Sequence, residues 1–190
     1  MNNYFLNSSK VIKSLKKEEK NLKKIVNKIF NTYKLKGKVL VAGHGGSCSD
    51  AEHFVGELIC TYKNREREPI SAISLGSLPA ALTAWSNDFG FETFFERMTK
   101  AHLKKNDLLV LISTGGGDRN KGTSMSLVKA ADYAKKKKIC IVSLLGKTGG
   151  ELSKISDINI VVKSKLTSHI QEAHITMLHY ICESLDEKLI

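Results

Sequence analysis

The alternation of continuous apolar runs with helix-patterned segments is the feature that most limits what this chain can become. Apolar β runs are read at Lys38–Ala42, Ile70–Leu75, Leu108–Ser113, Ile139–Leu144 and Ile158–Val162. Helical patterns fill the spaces between them, at Ser49–Tyr62, Leu78–Trp85, Phe91–His102, Thr123–Lys137, Gly149–Ile155 and His169–Leu189. Strands that are apolar on both faces and joined through helices make a parallel sheet covered on both sides. The predicted class is therefore α/β, in three layers. Ligands of such sheets bind beyond the carboxyl ends of the strands.

Ahead of the first strand, residues from Asn7 to Tyr33 read as one long helix. Leu15, Leu22, Val26, Ile29 and Tyr33 follow steps of three and four, and Glu19 breaks the stripe. A seam of that length packs on another helix or on another subunit. Residues 1–35 are assigned to such an oligomerisation helix, within one domain spanning 1–190. A chain of 190 residues fills one core and is too short for two.

No apolar run reaches the roughly 18–20 residues needed to span a bilayer. Met1-Asn2-Asn3-Tyr4 lacks the charged start and apolar stretch of a signal peptide. A cytoplasmic location without a membrane partner is expected. Cys48, Cys60, Cys140 and Cys182 contain no CxxC pair, which speaks against a zinc knuckle or a disulfide framework. Cys60, Cys140 and Cys182 sit in apolar company and read as buried thiols, and Cys48 as a packing residue. The net charge of +11 is mostly local, in Lys10 to Lys28 and in Lys135 to Lys138. Without interleaved aromatics these are solvated helix faces and helix ends, not a nucleic-acid surface. Their field still favours an anionic substrate.

Two loops lie at the carboxyl edge of the predicted sheet. Gly43-His44-Gly45-Gly46-Ser47 follows the first strand. It lacks the third glycine and the distal acid of a dinucleotide fingerprint, so no organic cofactor is expected. Its glycines allow a ligand close to the backbone, with a helix N-terminus behind. Ser113-Thr114-Gly115-Gly116-Gly117 offers hydroxyls and backbone N–H groups in the same position, which suits a phosphate.

Two helices carry groups for acid/base work. His53 and Glu57 are four residues apart and share a helix face. Gln171 and His179 are eight apart, on nearly one face of the last helix. Glu57 has apolar neighbours in Phe54, Val55, Leu58 and Ile59, where a carboxylate could serve as base or acid. His102 and His174 read as structural histidines. His53, Glu57, Gln171 and His179 together could also hold a divalent ion, although an amide is a poor zinc ligand. Metal-dependent and metal-free chemistry both remain open at this point.

The blocks Gly43–Ser47, Asp50-Ala51-Glu52-His53-Phe54, Glu57-Leu58, Ser86-Asn87-Asp88-Phe89-Gly90-Phe91, Ile112-Ser113-Thr114, Gly146-Lys147-Thr148-Gly149-Gly150 and Ile170-Gln171-Glu172-Ala173-His174 occur in that order. This pattern resembles the phosphoheptose isomerase family of sugar isomerase (SIS) domains, over nearly the whole chain. The resemblance implies a five-stranded parallel sheet with flanking helices, assembled as a homotetramer. It implies conversion of sedoheptulose 7-phosphate to D-glycero-D-manno-heptose 7-phosphate, supplying heptose for lipopolysaccharide or capsule. Glu57 and His179 inherit the catalytic roles, in an order the resemblance leaves open. Substrate contacts fall on His44, Gly45, Gly46, Ser47, Glu57, Asn87, Asp88, Ser113, Thr114, Gly115 and Gln171. Zinc, one per subunit, is implied at His53, Glu57, Gln171 and His179.

Three departures from the family pattern stand out. His44 replaces an asparagine. Gly115-Gly116-Gly117-Asp118 replaces a run with two more hydroxyls. The same loop then runs on through Arg119, Asn120, Lys121, Gly122, Thr123 and Ser124. The extension is expected to fold back so that Arg119, Lys121 or Ser124 restores phosphate contacts. Two other readings of the pattern are an isomerase of another sugar phosphate and a non-catalytic SIS protein that binds a partner such as a replication initiator.

Overall fold

The computed structural model describes residues 3–189; Met1, Asn2 and Ile190 of the predicted 1–190 domain lie outside the described residues. Five strands, β1 (Val39–Gly43), β2 (Ala72–Ser74), β3 (Leu108–Ser113), β4 (Cys140–Gly146) and β5 (Ile158–Val162), form one sheet in the order β2-β1-β3-β4-β5. Every neighbouring pair is parallel, with Val39 opposite both Ala72 and Leu108. The connections reverse direction between β1 and β3, so the loops after these two strands flank the crevice where such sheets bind ligands.

The helices are α1 (Tyr4–Ser14), α2 (Glu19–Lys34), α3 (Gly46–Ile59), α4 (Pro79–Phe89), α5 (Phe94–His102), α6 (Met125–Lys136), α7 (Leu152–Ile155) and α8 (Thr167–Lys188). Alternate strand residues feed two separate cores. Val39, Val41, Leu108, Val110, Ile112, Val142 and Leu144 face α2, α3 and α8. Leu40, Ala42, Leu109, Leu111, Ile141 and Leu145 face α5, α6 and α7. Each fully buried Leu, Ile or Val among them contributes roughly 1.5–3 kcal/mol of apolar burial.

The long N-terminal helix is interrupted. Leu15–Glu18 is a 3-10 turn between α1 and α2. The break falls where Glu19 interrupts the apolar stripe, and the tighter winding lets both Leu15 and Leu22 reach the core. α1 is held to α8 by Tyr4 and Ser8, whose hydroxyls both donate to the Glu172 carboxylate. Cys60, read as buried, is exposed; Cys182 is buried and Cys140 half-buried. Cys60 terminates α3 at its solvent side, where the apolar company of Ile59 is itself exposed.

α4 differs from the other helices. None of its residues is buried in the isolated chain. Leu78, Phe89 and Phe91 in and around it stay exposed, and Trp85, Phe89, Phe94 and Met98 line an apolar groove beside it.

Candidate active site

α3 and α8 lie against each other on one face of the sheet and bring the candidate acid/base residues together. At the upper end of this contact Gly46 opens α3, and a Cβ there would stand 2.4 Å from Nε2 of Gln171 on α8. The glycine is what lets the amide lie across the start of α3. Two turns lower, His53 Nε2 is 3.2 Å from Glu57 Oε1 and 3.3 Å from His179 Nε2. His53 therefore sits between the carboxylate and the second imidazole. The ring of Tyr62 stacks on His179 at 5.7 Å between centroids. Of the four residues, His53, Glu57 and His179 come together, whereas Gln171 lies two turns away against Gly46.

The two levels of the contact are separated by a distance with chemical meaning. From Gln171 to His179 the axis of α8 rises roughly 12 Å. An open-chain seven-carbon sugar phosphate, from C1 to phosphorus, extends to roughly 10 Å at backbone-like bond spacing. That length is comparable with the span from the glycine loop to Glu57, His53 and His179.

The β1 loop is tied down by His44. Its Nε2 is 2.7 Å from Ser126 Oγ at the start of α6, and its ring packs near Phe91 and Phe95. Burial lowers its pKa. Ser47 is buried, with its N–H bonded to the His44 carbonyl. In the β3 loop, Ser113 is buried and its Oγ accepts from Gly116 N at 3.0 Å. Thr114 and Gly115 are half-buried, and the Thr114 carbonyl approaches Gly146 beside Ile170.

The extended loop has its own architecture. Gly116 and Gly117 accept from the N–H groups of Leu152 and Glu151 at 2.8 and 3.0 Å. A Cβ on Gly116, where φ is +71°, would meet the Gly149 carbonyl at 1.9 Å. Gly116 is therefore a glycine because two backbones touch there, whereas a Cβ on Gly115, where a hydroxyl was expected, would meet nothing within 4 Å. Asp118 and Thr123 then pair as an antiparallel bridge. Arg119 does not face the phosphate region as expected. Nη2 reaches both oxygens of Asp132 at 2.8 Å, and Nε lies 3.5 Å from Glu151. Lys121 does line a cleft of about 550 Å³ with Gly115, Lys147 and Lys154.

Asn87 and Asp88 close α4, where they are exposed and bonded to each other at 2.8 Å. No hydrogen bond joins them to the α3–α8 contact among the described residues. His174 is fully buried, with Nε2 3.1 Å from the Leu145 carbonyl, as a structural histidine should be. The sequence reading passed over Asp50, one turn above His53. Its Oδ2 is buried with no partner, and burial, partly offset by His53, raises its carboxyl to about 6. Its place on the His53–Glu57 stripe was the available signal.

Comparison with known proteins bears on this geometry directly. The family model for the SIS domain matches residues 3–146. The phosphoheptose isomerase of Helicobacter pylori (strain ATCC 700392 / 26695) is 41% identical over 174 residues, covering 92% of this chain and 87% of that protein. The chain belongs to the phosphoheptose isomerase family of SIS domains. The phosphoheptose isomerase of Campylobacter concisus is 42% identical over 159 residues, covering 84% of this chain and 80% of that protein. Among solved structures, phosphoheptose isomerases from Neisseria gonorrhoeae and Francisella tularensis superpose with TM-scores of 0.87 and 0.89. Each is 28% identical and covers 97% of this chain and 95% of that one.

The donor set fits a zinc ion in part. Zinc bonds of about 2.0–2.1 Å in a tetrahedron put neighbouring donors roughly 3.3 Å apart. The His53–His179 and His53–Glu57 separations of 3.3 and 3.2 Å match two such edges. A complete preassembled set of three or more His, Cys, Asp or Glu ligands is not found among the described residues.

Proposed function

We propose that this enzyme interconverts sedoheptulose 7-phosphate and D-glycero-D-manno-heptose 7-phosphate, as a cytoplasmic homotetramer feeding heptose into lipopolysaccharide or capsule. The observation that carries the reading is the meeting of Glu57, His53 and His179 at the lower end of a helix contact whose upper end is a glycine loop. Family membership supplies the substrate.

The Glu57 carboxylate takes a proton from C1 of the open-chain ketose while the C2 carbonyl oxygen gains one, giving an enediol. The proton then returns to C2 as O1 becomes the aldehyde oxygen. His179 moves the proton between the two oxygens, and Tyr62 fixes its ring plane by stacking. His53, between the two, keeps carboxylate and imidazole in register. Each acid or base contributes a factor of roughly 10²–10⁴. Glu57 and His179 can exchange roles without altering this balance. His53 with its neighbours Glu57 and His179 would hold a zinc ion, which would act as a Lewis acid on the sugar oxygens.

The test is turnover of sedoheptulose 7-phosphate, with and without chelator, in the parent and in Glu57→Gln. The parent should form the aldose, and the folded variant should lose activity by a factor of roughly 10²–10⁴. A variant that keeps most of the parent rate would remove Glu57 from the chemistry.

A further inference from the structure

We infer that Arg67 and Asp186 are positioning residues for the isomerisation: their buried ion pair locks the Glu57 end of α3 onto the His179 helix. This inference rests on the function proposed above.

It begins with an unusual helix end. The last carbonyls of a helix lack partners within it. α3 ends at Cys60 without the left-handed glycine that commonly closes a helix. Instead Arg67 Nη2 donates to the carbonyl of Glu57 itself at 2.7 Å, and Nη1 donates to the carbonyl of Leu58 at 3.0 Å. The guanidinium is the cap, and its planar fork matches two adjacent acceptors. The remaining nitrogen, Nε, donates to Asp186 Oδ1 at 2.6 Å.

Asp186 lies seven residues beyond His179 on α8, on the same stripe. Its second oxygen accepts from the amides of Lys63 and Asn64 at 2.6 and 2.8 Å. Burial opposes its charge, but those amides and the guanidinium outweigh it and hold the carboxyl below its usual range. Both side chains are nearly inaccessible, at 2% and 5% exposure. A buried pair of this kind is costly to build, and apolar residues often serve stability as well or better. What an apolar pair cannot do is grip the Glu57 carbonyl, two bonds from the Cα that carries the reacting carboxylate. The clamp thus sets the spacing of the two acid/base groups through the main chain.

A second buried carboxylate provides the control. Asp107 accepts from the amides of Lys38 and Lys104 and pairs with the Lys38 ammonium, at the amino end of the sheet. It resembles Asp186 in chemistry and burial but touches neither α3 nor α8. The experiment measures kcat and KM on sedoheptulose 7-phosphate for Arg67→Lys, Asp186→Asn, Asp107→Asn and Glu57→Gln, well below each melting temperature.

Misplacing a reacting group by about 1 Å costs up to roughly a hundredfold. Arg67→Lys and Asp186→Asn should therefore lower kcat about tenfold to a hundredfold, with KM changed less than about twofold. Asp107→Asn, destabilised to a similar degree, should keep kcat within about twofold. If Arg67→Lys fails to fold, Asp186→Asn decides alone. Normal kcat in the folded clamp variants, or an equal loss in Asp107→Asn, overturns the clamp while an inactive Glu57→Gln leaves the site reading standing. An active Glu57→Gln overturns the site reading itself.

Discussion

His174 illustrates how one buried side chain writes its own pH dependence. Its Nε2 donates to the Leu145 carbonyl, and its Nδ1 is buried without a partner. Burial lowers its pKa to about 4, slightly opposed by that hydrogen bond. A depressed folded pKa means stability is fully present above the unfolded value of about 6.5 and is lost as pH falls through 4. We expect the parent to lose at most about 3 kcal/mol from this group by pH 4. His174→Gln, which can still donate to Leu145, should flatten that part of the curve. Denaturant titrations of both proteins at pH 7 and pH 4.5 would measure it, and parallel curves would remove the assignment. The side chains of the site were unequally legible in the sequence. His53 with Glu57 could be found from their spacing alone. Arg67 could not, because it lies in the charged run Lys63 to Glu68, whose other charged members are exposed.

The elements followed the sequence closely in kind and loosely in extent. Five apolar runs became the five strands, because a strand buried on both faces has no polar face to confuse its pattern. β2 shortened to Ala72–Ser74, and the long N-terminal helix broke at the turn preceding Glu19. The β3 loop was the least legible element, since its shape is dictated by a neighbour far along the chain. Gly116 is wedged against Gly149, so its conformation depends on residues that no local pattern reveals. We expect Gly116→Ala to cost about 3 kcal/mol or more, from left-handed backbone strain and a backbone clash together. Chemical denaturation checks the value, and a loss under about 1 kcal/mol would show that the two loops can separate freely. Gly46→Ala is a different case, because only the Gln171 amide stands in the way and its long side chain can swing aside. That variant should stay folded but lose activity, which a melting curve and a turnover assay would separate.

At the scale of the whole molecule, the isolated chain is complete on one side and bare on another. α4 buries none of its residues, and Leu78, Phe89 and Phe91 are exposed at 48%, 63% and 43%. We propose that this exposed apolar surface is a contact with another copy of the chain. Asn87 and Asp88 sit on that same helix, away from the α3–α8 contact, which is why a single subunit does not unite all the predicted contacts. We expect the parent to sediment as a tetramer and Phe89→Glu as a smaller species. A monomeric parent in the ultracentrifuge would contradict this. The contact between His53 and His179 spans 126 residues of sequence. During synthesis, therefore, the first catalytic helix waits unaccompanied while nearly all of the sheet is made. On the proposed chemistry, the nascent polypeptide would gain its second acid/base group only once residue 179 has left the ribosome and α8 has docked.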